Sequence, residues 1–225
     1  MNKLRVIFFD AVGTLIHLPR GAAFHYREVA RRRGLELPEE ALAAAFRRVW
    51  KETPAPVTTR QPRADDDRGW WEALVHRVLD ACAPGEPLSF DRAGYFAELY
   101  DEFTKPSVWE PYPETHAVLA ELAPRYELGI ISNFDRRLHV VLEHLDLARF
   151  FRHVIISSEV GADKPDGLIY QRALELSNSP AAAALHVGDD PVKDWEGAAA
   201  AGLAVFKLDR PRNSLRDVLA ACATI

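Results

Sequence analysis

Apolar residues fall along this chain in two rhythms. Five short runs are almost continuously apolar: Val6–Phe9, Leu128–Ser132, His153–Ser157, Leu185–Val187 and Leu203–Leu208. Unbroken runs of this length suit parallel strands covered on both faces. The last four are separated by segments with helical spacing, Arg137–Leu145, Gly167–Leu176 and Val192–Ala201. This strand-helix-strand alternation predicts an α/β fold built on a doubly wound parallel sheet.

The interval between the first and second runs has no strand pattern. It carries four stripes at helical spacing instead. Tyr26, Val29 and Ala30 mark the first, closed by Gly34. Leu42, Phe46, Val49 and Trp50 form the second, with Pro38, Glu39 and Glu40 suited to its positive end. Trp71, Leu74, Val75, Val78, Leu79 and Cys82 form the third, and Tyr95, Phe96, Leu99, Tyr100 and Phe103 the fourth. The pattern predicts a core of residues 1–17 and 106–225 interrupted by a four-helix cap at 18–105. The stretch Thr53–Asp67 is expected to be a loop inside that cap.

A chain of 225 residues with 48% hydrophobic content can bury a core and an insert. Its two Cys exclude a disulfide framework or a Cys-rich zinc site. With 28 basic and 33 acidic residues the net charge is −5, which gives no global attraction for nucleic acid or an anionic membrane. The apolar run at Val6–Phe9 ends at Asp10, too short for a signal peptide, and no run is long enough to span a bilayer. The expectation is a cytoplasmic protein, monomer or homodimer, acting on a small molecule.

In an open α/β sheet ligands bind beyond the carboxyl ends of the strands, and here those ends are polar. The first run leads into Asp10-Ala11-Val12-Gly13-Thr14, the second into Ser132-Asn133, the third into Gly161-Ala162-Asp163-Lys164-Pro165, and the fourth into Gly188-Asp189-Asp190 with Asp194 beyond. Carboxylates, a hydroxyl and an ammonium on one edge can hold a hard divalent cation and an anion together. Mg²⁺ fits this oxygen-rich set, whereas Zn²⁺ would call for His or Cys. A carboxylate beside such a metal can also act as a nucleophile toward phosphorus.

This ordered set resembles the four motifs of the haloacid dehalogenase (HAD) superfamily, across almost the whole chain. The resemblance implies a Rossmann-like core and a helical cap that selects substrate. It also implies Asp10 as the nucleophile forming an aspartyl-phosphate, Ser132 bonded to the transferring phosphoryl group, and Lys164 positioning both. Thr14 and Asn133 join Ser132 and Lys164 as substrate-binding residues. The implied Mg²⁺ ligands are Asp10, the backbone carbonyl of Val12, Asp189 and Asp194, and the implied partner is a small phosphorylated metabolite. The stretch Ile131-Ser132-Asn133-Phe134-Asp135-Arg136-Arg137-Leu138 and the pair Trp70-Trp71 are similar to the subgroup called haloacid dehalogenase-like hydrolase domain-containing proteins.

One position departs from the phosphatase pattern. The family's phosphatases carry a second Asp two residues after the nucleophile, as general acid and base, and here that residue is Val12. Three readings stay open: a metal-dependent phosphatase, a catalytically weak binding or regulatory protein, and a carbon–halogen or carbon–phosphorus hydrolase. Dehalogenases need neither that proton nor a metal. Phosphonate-cleaving enzymes use a cap lysine, for which Lys51 and Lys105 are the candidates.

Other polar residues invite simpler readings. Asp190 reads as a helix-start residue. His17 and His25 are the histidines placed to replace the missing acid. Arg20, Arg27 and Arg31 could meet an anionic substrate, but Arg31-Arg32-Arg33 and Asp65-Asp66-Asp67 read as solvated charge runs. Trp70-Trp71 reads as cap core.

Overall fold

The computed structural model describes residues 3–82, 85, 90–210 and 212–223. Among the described residues are seven strands: β1 (Val6–Phe9), β2 (Ile16–His17), β3 (Glu110–Pro111), β4 (Glu127–Ser132), β5 (His153–Ile156), β6 (Ala184–Gly188) and β7 (Ala204–Lys207). Five form one sheet in the order β5-β4-β1-β6-β7, with every pairing parallel. All four residues of β1 are buried, as a central strand covered on both faces requires. Because β1 is central, its carboxyl end is flanked by those of β4 and β6.

Ten α-helices accompany the strands among the described residues: α1 (Gly21–Arg32), α2 (Glu39–Glu52), α3 (Arg68–Cys82), α4 (Arg92–Glu102), α5 (Thr115–Leu122), α6 (Arg137–His144), α7 (Ser157–Val160), α8 (Gly167–Leu176), α9 (Gly197–Ala200) and α10 (Arg216–Ala221). A π-helical turn, Pro191–Glu196, precedes α9. Ile169, Tyr170 and Ala173 of α8 pack with Val6, Phe8, Ile131 and Ile155 of the sheet. The start of α8 is fixed by Asp166, whose carboxylate accepts from the Leu168 amide at 2.9 Å. Among the described residues no helix is long and apolar enough to cross a membrane.

The chain divides into two compact units. One holds residues 1–17, 57–66 and 110–225, and the other residues 18–56 and 67–109. The second is the inserted four-helix unit, α1 to α4. Its core is the four predicted stripes, with Tyr26, Val29, Leu42, Val49, Leu74, Val78, Tyr95 and Leu99 buried together. Trp70 and Trp71 pack against this core, edge to face with ring centroids 4.9 Å apart. Residues 83–84 and 86–89 of the expected cap lie outside the described residues.

The grouping differs from a continuous insert over 18–105 in two respects: the helical unit runs on to Trp109, and residues 57–66, expected as a loop inside the cap, join the sheet unit. Within that unit the Thr59 amide donates to the Gly161 carbonyl at 2.8 Å and the Arg63 amide to the Ser158 carbonyl at 2.8 Å. The acidic run is not a solvated face either. Asp67 is buried, and Asp66 accepts from the Ser158 hydroxyl at 2.6 Å and the Arg136 amide at 3.0 Å.

Three further differences are confined to short segments. The expected strand His153–Ser157 stops at Ile156 because Ser157 opens α7. The helix expected over Val192–Ala201 is a π turn followed by α9. The short antiparallel pair β2–β3, with Ile16 opposite Pro111 and His17 opposite Glu110, is too brief to leave a periodic signature.

Candidate active site

The carboxyl ends of three adjacent strands, β4, β1 and β6, deliver polar groups to one edge of the sheet. Asp10 follows β1, and its amide donates to the Val187 carbonyl of β6 at 2.9 Å. Ser132 closes β4, Lys164 lies in the loop after α7, and Asp189 follows β6. Asp194 sits on the π turn. A widened turn of this kind is often found at a functional site, and here the wide turn carries an inward carboxylate.

The ammonium of Lys164 is the hub. Its Nζ lies 2.6 Å from Oδ1 of Asp10 and 2.7 Å from Oδ1 of Asp194, with all three residues buried. The Ser132 hydroxyl donates to the same Asp10 oxygen at 3.4 Å. Carboxylate oxygens of Asp10, Asp189 and Asp194 all lie within 4.8 Å of one another. Asp189 is the most open of the three, and the Thr14 hydroxyl donates to its Oδ1 at 3.1 Å.

The main chain approaches this cluster closely. Gly13 has φ +93°, and a Cβ there would lie 2.5 Å from Oδ2 of Asp189. Only glycine satisfies both conditions at this position.

Burial pushes the Asp10 carboxyl up to about 7, against the pull of Lys164 and with help from the Asp194 and Asp189 charges. Burial also works against ionised Asp194, but Lys164 and a hydrogen bond from His186 overcome it and hold this carboxyl well below the usual range. Burial alone would lower Lys164, yet its two carboxylate partners raise it above the ordinary lysine value. The surrounding protein raises Asp189 too, with the Asp194 charge adding to the effect.

Three acidic groups sharing one buried ammonium make a site short of positive charge. The donors are hard oxygens in a small space, which fits Mg²⁺; among the described residues the cluster includes no His or Cys of the kind zinc favours.

The remaining expected site residues stand behind this set. Asn133 uses both amide atoms on Lys164, accepting from its backbone amide at 2.7 Å and donating to its carbonyl at 2.9 Å. Thr14 is fully buried and engaged with Asp189. Asp190 caps the π turn, accepting from the Val192 and Lys193 amides at 2.9 Å each, as a helix-start residue does. The Val12 side chain is 37% exposed, and no acid stands in its place.

Neither proposed histidine carries the mark of a substitute acid. His17 lies against Tyr112 with the rings tilted and centroids 4.6 Å apart, and His25 is buried beside Glu102. Arg20 lies over Phe24, Arg27 pairs with Glu28 and Glu39, and Arg31 pairs with Glu28. Lys51 is exposed, and Lys105 is exposed and paired with Glu102, whereas an amine nucleophile needs a desolvated setting.

Three contributors are not among the expected site residues. His186 is hidden inside the apolar run of β6, and its Nε2 lies 2.9 Å from Oδ1 of Asp194. Asp135 is fully buried and takes a bidentate pair from Arg137, at 2.8 Å and 2.6 Å, in the loop that follows Asn133. Arg63 is buried and pairs with Asp163, the residue before Lys164. Only the Asp135-Arg136-Arg137 charge pattern carries a sequence signal.

Comparisons with known proteins bear on the family and the fold of the chain. The family model for haloacid dehalogenase-like hydrolases matches residues 4–202. The haloacid dehalogenase-like hydrolase domain-containing protein 3 of Danio rerio is 30% identical over 210 residues, covering 92% of this chain and 86% of that protein. The HAD-hydrolase YfnB of Bacillus subtilis, solved bound to magnesium, aligns with TM-score 0.74 at 16% identity over 99% of this chain and 100% of its own. The 2-haloacid dehalogenase of Pseudomonas syringae aligns with TM-score 0.65 at 23% identity over 98% and 99%. At these identities the structural likeness is one of fold, while the family match spans nearly the whole chain. The chain belongs to the haloacid dehalogenase-like hydrolase family.

Proposed function

We propose that this hydrolase is a Mg²⁺-dependent cytoplasmic phosphatase for a small phosphorylated metabolite, working through an aspartyl-phosphate on Asp10. The observation that carries the reading is the Lys164 ammonium seated between Asp10 and Asp194 with the Asp189 carboxylate close by. That arrangement suits a cation and a phosphate together. Halide displacement at carbon has no use for three clustered carboxylates.

Asp10, Asp189, Asp194 and the Val12 carbonyl would hold Mg²⁺, which when bound neutralises charge on the phosphoryl oxygens. The chain's own groups do the rest. Oδ1 of Asp10 is held by Lys164 and Ser132, which fixes the carboxylate for attack on phosphorus. The new Asp10–phosphorus bond forms as the bond to the leaving oxygen breaks, and water later hydrolyses the acyl phosphate. Ser132 and Lys164 donate to phosphoryl oxygens. Thr14 and Asn133 act from behind, orienting Asp189 and Lys164.

Val12 cannot protonate the leaving group, a function that typically contributes about 10² to 10⁴ in rate. The substrates favoured are therefore aryl or acyl phosphates, whose leaving groups need little protonation. Purified protein with Mg²⁺ should hydrolyse p-nitrophenyl phosphate and acetyl phosphate, and Asp10→Asn should abolish both activities. Retained Mg²⁺ binding without Asp10-dependent turnover would instead support a binding or regulatory protein.

A further inference from the structure

We propose that the strap formed by residues 57–66 is a positioning device, in which Arg63 and Asp66 hold the loops carrying Asn133 and Lys164 in register. Its kinetic consequence rests on the phosphatase reading above; its structural consequence does not.

The two loops leave different strands and must meet at one phosphate. They are joined directly by Asn133 gripping the Lys164 main chain, and by the Phe134 carbonyl, which accepts from the Ser158 amide and the Ser157 hydroxyl at 3.2 Å each. The strap adds ties from outside. Asp66 spans both loops with one carboxylate: Oδ1 takes the Ser158 hydroxyl at 2.6 Å and Oδ2 takes the Arg136 amide at 3.0 Å. Arg63 is buried, donates its amide to Ser158, and pairs its guanidinium with Asp163, adjacent to Lys164.

The fit is close. The Gly161 carbonyl accepts from the Thr59 and Arg60 amides at 2.8 and 3.1 Å, and a Cβ on Gly161, whose φ is +75°, would lie 2.0 Å from the Gln61 carbonyl oxygen. Arg60 and Asp66 hold positive φ values of 59° and 53°, a conformation that non-glycine residues rarely adopt without external restraint. A buried arginine facing one acid is oriented as well as charged, because its donors are fixed in a plane.

The test compares full-length wild type with Arg63→Ala, Arg63→Lys, Asp66→Ala and, as a control at an exposed side chain, Gln61→Ala. With p-nitrophenyl phosphate and Mg²⁺, both alanine variants at Arg63 and Asp66 should lose about 10- to 100-fold in kcat with little change in KM, as expected for sub-ångström misplacement. Arg63→Lys should recover only part of the loss, since it restores the charge without the planar set of donors. Hydrogen exchange should quicken at the Ser158 and Lys164 amides, whose acceptors lie outside the strap, while β1 and β6 stay protected. Wild-type kcat in the alanine variants, unchanged exchange at those two amides, or exchange accelerated throughout the sheet would each overturn the proposal. If wild type hydrolyses no phosphate, the phosphatase reading fails and the exchange measurement alone decides the strap.

Discussion

The Nζ of Lys164 and Oδ1 of Asp10 lie 2.6 Å apart, both side chains almost wholly out of solvent. Removing one member of a buried pair destabilises by about 3–5 kcal/mol, because the other charge is left uncompensated. Lys164→Met leaves Asp10 and Asp194 facing each other. Its melting temperature should fall in EDTA and recover in part with Mg²⁺, which calorimetry with and without the cation will read. No difference between the two conditions would speak against the carboxylates as a cation site.

Val12 is exposed enough to be exchanged for a charged residue without a burial penalty. Val12→Asp should raise hydrolysis of alkyl phosphates by about tenfold or more while changing aryl phosphates less, since only the poor leaving group lacks its proton donor. The ratio of kcat/KM for the two substrate classes is the measurement. An unaltered ratio would show that protonation of the leaving group does not limit the rate.

Gly13→Ala places a methyl group where Asp189 now sits. Left-handed backbone costs a non-glycine residue about 1–2 kcal/mol, and the clash adds to it. The expected result is weaker Mg²⁺ binding by titration calorimetry, larger in proportion than the loss of thermal stability. An intact Mg²⁺ affinity would remove Asp189 from the ligand set.

Acid should destabilise the protein through its buried histidines. Burial lowers His25 and His186 below the ordinary value, with carboxylate partners opposing it only in part. The unfolded chain therefore takes up protons first, and stability present above about pH 6.5 is lost as pH falls below it. His25→Gln should remove part of the drop in melting temperature between about pH 7 and 5.5. A drop of unchanged size would mean that His25 takes up its proton equally in the folded and unfolded states.

How far the sequence reveals these arrangements depends on whether the cause is local. β1 and α8 match their expected limits to the residue, because one is a wholly buried run and the other is opened by the Asp166 cap. Asp10, Ser132 and Asp189 are legible because each stands at or just past the end of an apolar run. His186 is not, since it lies within one, and its role depends on a turn that brings Asp194 back toward it. Asp66 looks solvated in sequence because its partners, Arg136 and Ser158, are 70 and 92 residues away. The π turn is likewise set by tertiary demand: Asp194 reaches Lys164 and His186 from it.

The pairing of β2 with β3 brings the two ends of the insertion side by side, so a short turn could close the core in its absence. The chain nevertheless returns to the core midway, at residues 57–66. The helical unit is thus not an interchangeable module. A chimera that takes residues 18–109 from another family member must also bring counterparts for Asp163 and Ser158, or it will lose activity with every core residue intact.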